Sequence, residues 1–200
     1  MPFSPNRRAV PARGKWSAAI FALIAAAYPV LVYWLHERVP FIVFALAACL
    51  LLLLRAFIAS GGMMRLLRLP LLCAAAMLAI LALIDPAVAA KAYPALLSAL
   101  LATVFGNSLR HPPSLVERMA RLRDPALSTA GIAYCRKVTW VWALWLLANA
   151  VIAASLSLTH SISFWALWTG FISYVCSGAL FLGEMLLRPW LLARAGGIGR

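Results

Sequence analysis

The feature that most constrains this chain is a succession of apolar runs, each close to 20 residues long, separated by short polar breaks. A helix needs about 20 predominantly apolar residues to cross a hydrocarbon core of about 30 Å. The runs fall at about 16–35, 39–57, 66–84, 87–105, 138–158 and 162–187. With 65 % hydrophobic residues and a mean hydropathy of +0.94 over 200 residues, almost nothing remains for a soluble domain. The expected fold is all-α: a polytopic membrane helical bundle of about six transmembrane helices.

The first run is too long for a signal-peptide core of about 7–15 apolar residues, so it reads as a span. Residues 1–15 read as a disordered basic leader and residues 189–200 as a short basic tail. Asp85-Pro86 makes a tight connection, because proline is well tolerated in the first turn of the following helix. Six spans with an inside N-terminus put sixteen of the eighteen Lys and Arg residues on the cytoplasmic side. Arg38 then lies outside and Lys91 within the fourth span. Such a bias over short loops is a positive-inside signal, and it makes both termini cytoplasmic. Trp16, Trp34, Trp140, Trp165 and Trp190 fall near span ends, as an aromatic belt requires.

The net charge of +13 does not point to nucleic acid, since the cations sit at span ends rather than on a folded module. Four dispersed cysteines make no disulfide framework, and Cys135, beside Arg136 and Lys137, reads as structural. The three histidines all fall in expected loops, so no facing pair ligates a haem and no metal-site spacing exists. Neither a cofactor motif nor a catalytic set is recognisable, which makes an enzyme the less favoured class.

The only long polar segment between apolar spans is 107–137, with six of the eighteen basic residues and two of the five acids. Ser114 and Glu117 form a Ser-x-x-Glu capping box. In the helix it starts, Leu115, Met119 and Leu122 follow i, i+4, i+7, with Arg118, Arg121 and Arg123 mostly on the other faces. That pattern describes an amphipathic helix lying in the cytoplasmic interface, touching anionic lipid or an acidic partner. Asp124-Pro125 reads as the start of a second helix that runs on into the fifth span.

An ionisable residue inside the hydrocarbon is costly and is a functional suspect by default. Lys91 either snorkels outward toward Asp85 or holds an anionic group in the outer half. Glu184 pairs either with Arg188 on its own helix or with Arg136 and Lys137 on the fifth span; a carboxylate lining a path is the other reading. Asn149 and Tyr174 sit at similar depth and read as interhelical glue. Span six carries Ala166, Gly170, Ser173, Ser177 and Gly178 at three- and four-residue spacing, a close-packing face that leaves room for a homodimer. Ala27-Tyr28-Pro29 in span one echoes Ala92-Tyr93-Pro94 in span four, and both prolines should kink their helices.

Taken together, Lys91-Ala92-Tyr93-Pro94, Pro112-Pro113-Ser114, Glu117-Arg118 and Ala120-Arg121-Leu122 resemble a family of bacterial inner-membrane proteins. Tyr134, Arg136-Lys137-Val138-Thr139, Trp142, Asn149, Tyr174, Gly183-Glu184 and Arg188 carry the same resemblance. The family is the multi-span protein of aryl-polyene (xanthomonadin-type) pigment clusters. The match covers about residues 91–188, and Ser98 stands where the family pattern has Asn. The resemblance implies a neighbourhood of acyl carrier proteins, ketosynthases, dehydratases and membrane acyltransferases. The expected function is an accessory or docking protein, with membrane lipids and an acidic acyl carrier protein or another assembly enzyme as partners. A transporter or flippase of the polyene lipid is the alternative, with an intramembrane acyl- or lipid-modifying enzyme third.

Overall fold

The computed structural model describes residues 13–58, 62–122, 124–159 and 161–197, with side chains outside the description at 13–22, 25, 58, 62–67 and 188–197. Residues 1–12 of the leader, Arg123 and residues 198–200 therefore lie outside the described residues, as do the side chains of Trp16, Arg188 and Trp190; the tail expected to begin at 189 instead continues α8 to Gly197. The described elements are helical: α1 (Arg13–Leu35), α2 (Phe41–Ile58), α3 (Gly62–Ile84), α4 (Pro86–Arg110), α5 (Leu115–Arg121), α6 (Thr129–Ser157), α7 (Ile162–Leu167) and α8 (Ser173–Gly197). A single π-helical turn, Trp168–Ile172, joins α7 to α8.

Three described stretches are long and apolar enough to cross a membrane: Pro86–Arg110, Thr129–Ser157 and Ile162–Leu187. The described apolar parts of the first three helices are shorter, at Ala26–Leu35, Phe41–Phe57 and Arg68–Ile84. Leu46, Leu50, Phe57, Ile80, Leu83, Leu144, Leu147, Val151, Leu182 and Leu186 all point out of the bundle. A soluble monomer does not expose apolar surface on this scale. The chain is a helical membrane protein.

The inward faces are built differently. In α2 the buried positions are Phe44, Ala45, Ala48, Leu52 and Ala56; in α3 they are Leu71, Ala75, Leu78 and Ala82. Both sets repeat every three or four residues, and alanine at many of them lets the helices approach closely. These faces close around the first half of α4, where Ala89, Ala90, Ala92 and Tyr93 are buried together with Tyr28, Val32 and Trp165. The second half of α4 packs along α6.

Pro94 has no N–H, so it leaves the carbonyl of Ala90 without its helical partner and distorts the turn around Lys91. The Ala90 carbonyl and its neighbour at Lys91 both accept from aromatic donors on other helices. The Tyr28 hydroxyl donates to Ala90 O at 2.8 Å, lying 3.2 Å from Phe44 O as well. Trp165 Nε1 donates to Lys91 O at 2.9 Å. The two Tyr-Pro sequences thus come together, with the Tyr28 and Tyr93 rings 4.9 Å apart. Trp165, expected at a belt, is fully buried instead, where its indole N–H finds an acceptor in the Lys91 carbonyl. Trp34 is exposed at the end of α1, in keeping with a belt, whereas Trp140 is exposed well inside α6.

Two ends of the bundle are distinct. At one end Lys91 Nζ donates to Thr159 O at 2.7 Å, and Tyr33, Trp34, His36 and Glu37 line a recess with Ile162 and Ser163. The other end carries Arg55, Arg68, Arg110, Arg118, Arg121, Arg136 and Lys137. The Arg68 guanidinium there lies over the Phe57 ring, 5.0 Å from its centroid.

Two boundaries differ from the sequence reading. Helix α4 runs to Arg110 and α6 starts at Thr129, so the polar break narrows from 107–137 to 111–128. A helix does not stop where hydrocarbon does: α6 has 29 residues, about 44 Å, against a core of about 30 Å. Arg136 and Lys137 therefore ride on a projecting helix rather than a loop. Asp124 does not start that helix, since its Oδ1 accepts from Ala126 N–H at 3.1 Å and closes a local turn. The N-cap is Ser128, whose Oγ accepts from Gly131 N–H at 3.2 Å. The Asp85-Pro86 start of α4 is as expected, with Asp85 Oδ1 accepting from the N–H groups of Ala87 and Val88.

The capped carbonyls give a direct test. Tyr28→Phe and Trp165→Phe should each destabilise the fold by about 1–2 kcal/mol, measured by reversible denaturation in bicelles. Pro94→Ala supplies the missing N–H and should cancel much of the Tyr28→Phe loss, whereas independent additive effects would refute the account.

Candidate functional site at the basic end

Helix α5 is short, and what holds it in place comes from its neighbours. Ser108 on α4 donates to Phe105 O at 2.7 Å and accepts from Leu115 N–H at 3.0 Å. Thr139 on α6 donates to Cys135 O at 2.7 Å and accepts from Val116 N–H at 3.4 Å. Two of the first-turn amides that a helix leaves unpaired are thus capped by hydroxyls from two other helices. Glu117, 6 % exposed, accepts from Ser114 N–H at 3.3 Å and pairs with Arg121 at 2.8 Å. The Ser114 hydroxyl faces the first turn in a capping-box arrangement without a close hydrogen bond. Arg118 reaches back to Pro113 O at 2.8 Å and His111 O at 3.2 Å.

The apolar stripe of α5 divides. Leu115 is buried against the bundle, whereas Met119 is 58 % and Leu122 86 % exposed. An anchored basic helix with bare apolar side chains at its far end is what a membrane interface accommodates.

On another side of α6, facing α8, lies a groove of about 520 Å³. That volume is in the range of small-molecule sites, about 300–1,000 Å³. Val138, Val141, Trp142, Ala179, Leu180 and Leu187 supply its apolar wall. Its polar groups are Tyr134, Lys137 and Glu184. The Tyr134 hydroxyl lies 3.4 Å from Glu184 Oε1 and 3.3 Å from Glu184 O, bridging α6 to α8. Phe105 of α4 packs behind the groove against Trp142, ring centroids 6.3 Å apart.

Of the residues singled out in sequence, Lys137 and Glu184 meet in this groove, while Glu117, Arg118 and Arg121 meet on α5. Arg136 is exposed on α6. Glu184 is held by Tyr134 rather than by a cation of α6, and Arg188, the other expected partner, lies outside the described side chains.

The remaining four sit elsewhere. Lys91 is 7 % exposed and its Nζ donates to Thr159 O, just past the end of α6, without an ion pair to Asp85 among the described residues. Tyr93 is buried against Tyr28. Asn149 does not pair with Tyr174, which is 46 % exposed. It donates instead to Ser98 Oγ at 2.9 Å and accepts from Trp168 Nε1 at 3.0 Å, tying α6 to α4 and to the π-helical turn. Of the small residues of span six, Gly170 and Ser177 are engaged within the chain, whereas Gly178 faces open space. Gly170 faces Pro29 and Val30 of α1, and Ser177 accepts from Trp145 Nε1 at 2.9 Å.

Sequence reasoning missed Ser108 and Thr139 as anchors of α5, and Trp165 and Trp168 as donors. Only one need was legible: Pro94 announces that Ala90 O lacks its helical partner, which Tyr28 supplies. Nothing in the sequence pairs Ser108 with an amide of α5. Among the described residues no group of three His, Cys, Asp or Glu side chains is placed to hold a metal ion.

The fold and site define a helical membrane protein with a basic, helix-capped face beside a groove. Comparison with protein-family models, with curated proteins and with solved structures finds no match to this chain.

If the two hydroxyls hold α5, Ser108→Ala and Thr139→Val should each raise amide exchange across 115–121 about five-fold, the equivalent of ~1 kcal/mol. Exchange in the middle of α4 and α6 should stay unchanged. Equal exchange in both variants and the unaltered protein would remove these contacts from the account.

Proposed function

We propose that this chain is a multi-pass protein of the bacterial inner membrane, with about six spans and both termini cytoplasmic. In this reading it is an accessory and docking protein for acyl-carrier-dependent lipid assembly, of the aryl-polyene type that the sequence resemblance implies. The observation that carries it is that α6 serves two features at once. One side of its first turns holds the basic helix α5 through Thr139, and another forms the groove through Tyr134, Lys137 and Val138.

Acyl carrier proteins are acidic as a class, and complementary charge governs encounter more than final affinity. Arg110 and Arg136 are exposed at this end beside α5, and Arg121 is exposed even though it pairs with Glu117. A carrier drawn to this face would present its acyl chain close to an apolar groove that opens toward lipid. Docking and a nearby hydrophobic acceptor are both needed when a membrane assembly step receives its chain from a soluble carrier.

Two experiments test the reading. Arg110→Glu combined with Arg136→Glu leaves the internal bonds of α5 intact, and should reduce recruitment of carrier protein to vesicles holding this protein by about ten-fold at low salt. Unchanged recruitment overturns docking. In a strain lacking the protein, extraction and fractionation of lipids should find unfinished chains; finished product stranded in the inner membrane would favour transport instead. For orientation, a cysteine-free chain carrying Ser128→Cys should label only from the cytoplasm and Ser161→Cys only from outside, and the reverse pattern would invert the topology.

A further inference from the structure

The groove between α6 and α8 has an electrical feature that its surroundings lack. The basic end as a whole favours anionic lipid. Three acidic residues are near this end in sequence, and each is differently placed: Glu117 is buried and paired with Arg121, Asp124 closes a turn, and Glu184 borders the groove. Lys137 borders the same groove and makes no ion pair with another described residue. Among the described side chains the groove therefore carries one cation, Lys137 on α6, and one carboxylate, Glu184 on α8, with the Tyr134 hydroxyl bridging the two helices.

The order of residues along the two helices places these charges at a definite depth. Lys137 precedes Val141 by four residues, about 6 Å, and Glu184 follows Ala179 by five, about 7.5 Å. Inward of the charged pair the wall is Val138, Val141, Trp142, Ala179 and Leu180, which is apolar throughout. A ligand that fits has a chain lying along this wall and a polar head level with Lys137 and Glu184. A purely anionic head would satisfy Lys137 and be repelled by Glu184; a purely cationic one would reverse the conflict. A head with one anion and one ammonium satisfies both. The ammonium also has N–H groups to give to a carboxylate that already accepts from Tyr134.

We infer that the α6/α8 groove is a binding site for a zwitterionic phospholipid of the phosphoethanolamine type, one chain in the groove, phosphate at Lys137 and ammonium at Glu184. The bilayer itself supplies this ligand. The site requires no carrier protein, so the inference goes beyond the docking role and stands or falls separately from it.

The test uses the full chain, purified in mild detergent and exposed to equimolar dioleoyl-phosphatidylethanolamine and dioleoyl-phosphatidylglycerol, with retained lipid counted by native mass spectrometry. One phosphatidylethanolamine should be retained in preference to phosphatidylglycerol by about five-fold. K137E and E184K should each abolish that preference. The exchanged pair K137E/E184K keeps both charges with their positions swapped and should restore it. V141W, which fills the apolar wall without touching either charge, should remove retention of both lipids; circular dichroism on each variant separates this from misfolding. Preference for phosphatidylglycerol that strengthens in E184Q would overturn the inference in favour of an anionic-lipid site. Equal retention of both lipids in every folded variant would overturn it altogether. Carrier recruitment, measured on the same variants, reports on the docking reading alone.

Discussion

In hydrocarbon a backbone carbonyl without a partner costs several kcal/mol, and Pro94 creates that problem in the buried first turns of α4. Its solution organises the structure. Tyr28 takes Ala90 O from the α1 side and Trp165 takes Lys91 O from the α7 side, so one proline ties together the first, fourth and last spans. Lys91 adds a third bond at the same turn through its side chain to Thr159 O. The core around this turn is mostly alanine with a few large rings, which suits helices that meet closely. Without such directed bonds, oily helices in an oily solvent would have only packing to choose their neighbours.

A second set of polar contacts runs along α4, α6 and the π-helical turn. Ser98, Asn149 and Trp168 form one chain of hydrogen bonds at mid-depth, and Thr169 returns its hydroxyl to Trp165 O at 2.7 Å. Such a bond from a hydroxyl to the carbonyl four residues back is the usual local use of Thr within a helix. Towards the basic end the same two helices diverge in what they hold. Ser108 and Thr139 seize the first amides of α5, while the far side of α6 stands off from α8 and leaves the groove. The functional face is thus an outgrowth of ordinary backbone satisfaction: hydroxyls fasten α5, and Tyr134 bridges the groove.

Several of these features were legible in the residues. The Ser114/Glu117 pairing, the Asp85-Pro86 helix start and the amphipathic character of α5 follow from side chains close in sequence, and the structure contains them. Misreadings share a cause. Asn149 is matched to Tyr174 by depth alone, and depth does not say which helices are neighbours; Lys91 does turn outward, but to Thr159 O rather than to Asp85. Asp124 was matched to α6 because Asp-Pro often opens a helix, yet its carboxylate found a closer amide at Ala126. Trp165 was assigned to a belt from its place near a span end, although rotation about the helix axis turns it inward.

By itself the sequence determined that the chain lives in a membrane, that it is helical throughout its apolar runs, and that one end is basic. These follow from hydropathy, run length and charge, which are local quantities that no packing can reverse. Only the tertiary structure decided that Pro94 is met by Tyr28 and Trp165, that α5 hangs from Ser108 and Thr139, and that Lys137 and Glu184 share a groove. Each depends on which apolar helices lie side by side and how each is turned about its axis. Lipid-facing and protein-facing positions are nearly equally apolar in such a chain, so hydrophobicity cannot encode that choice, and a few directed hydrogen bonds make it.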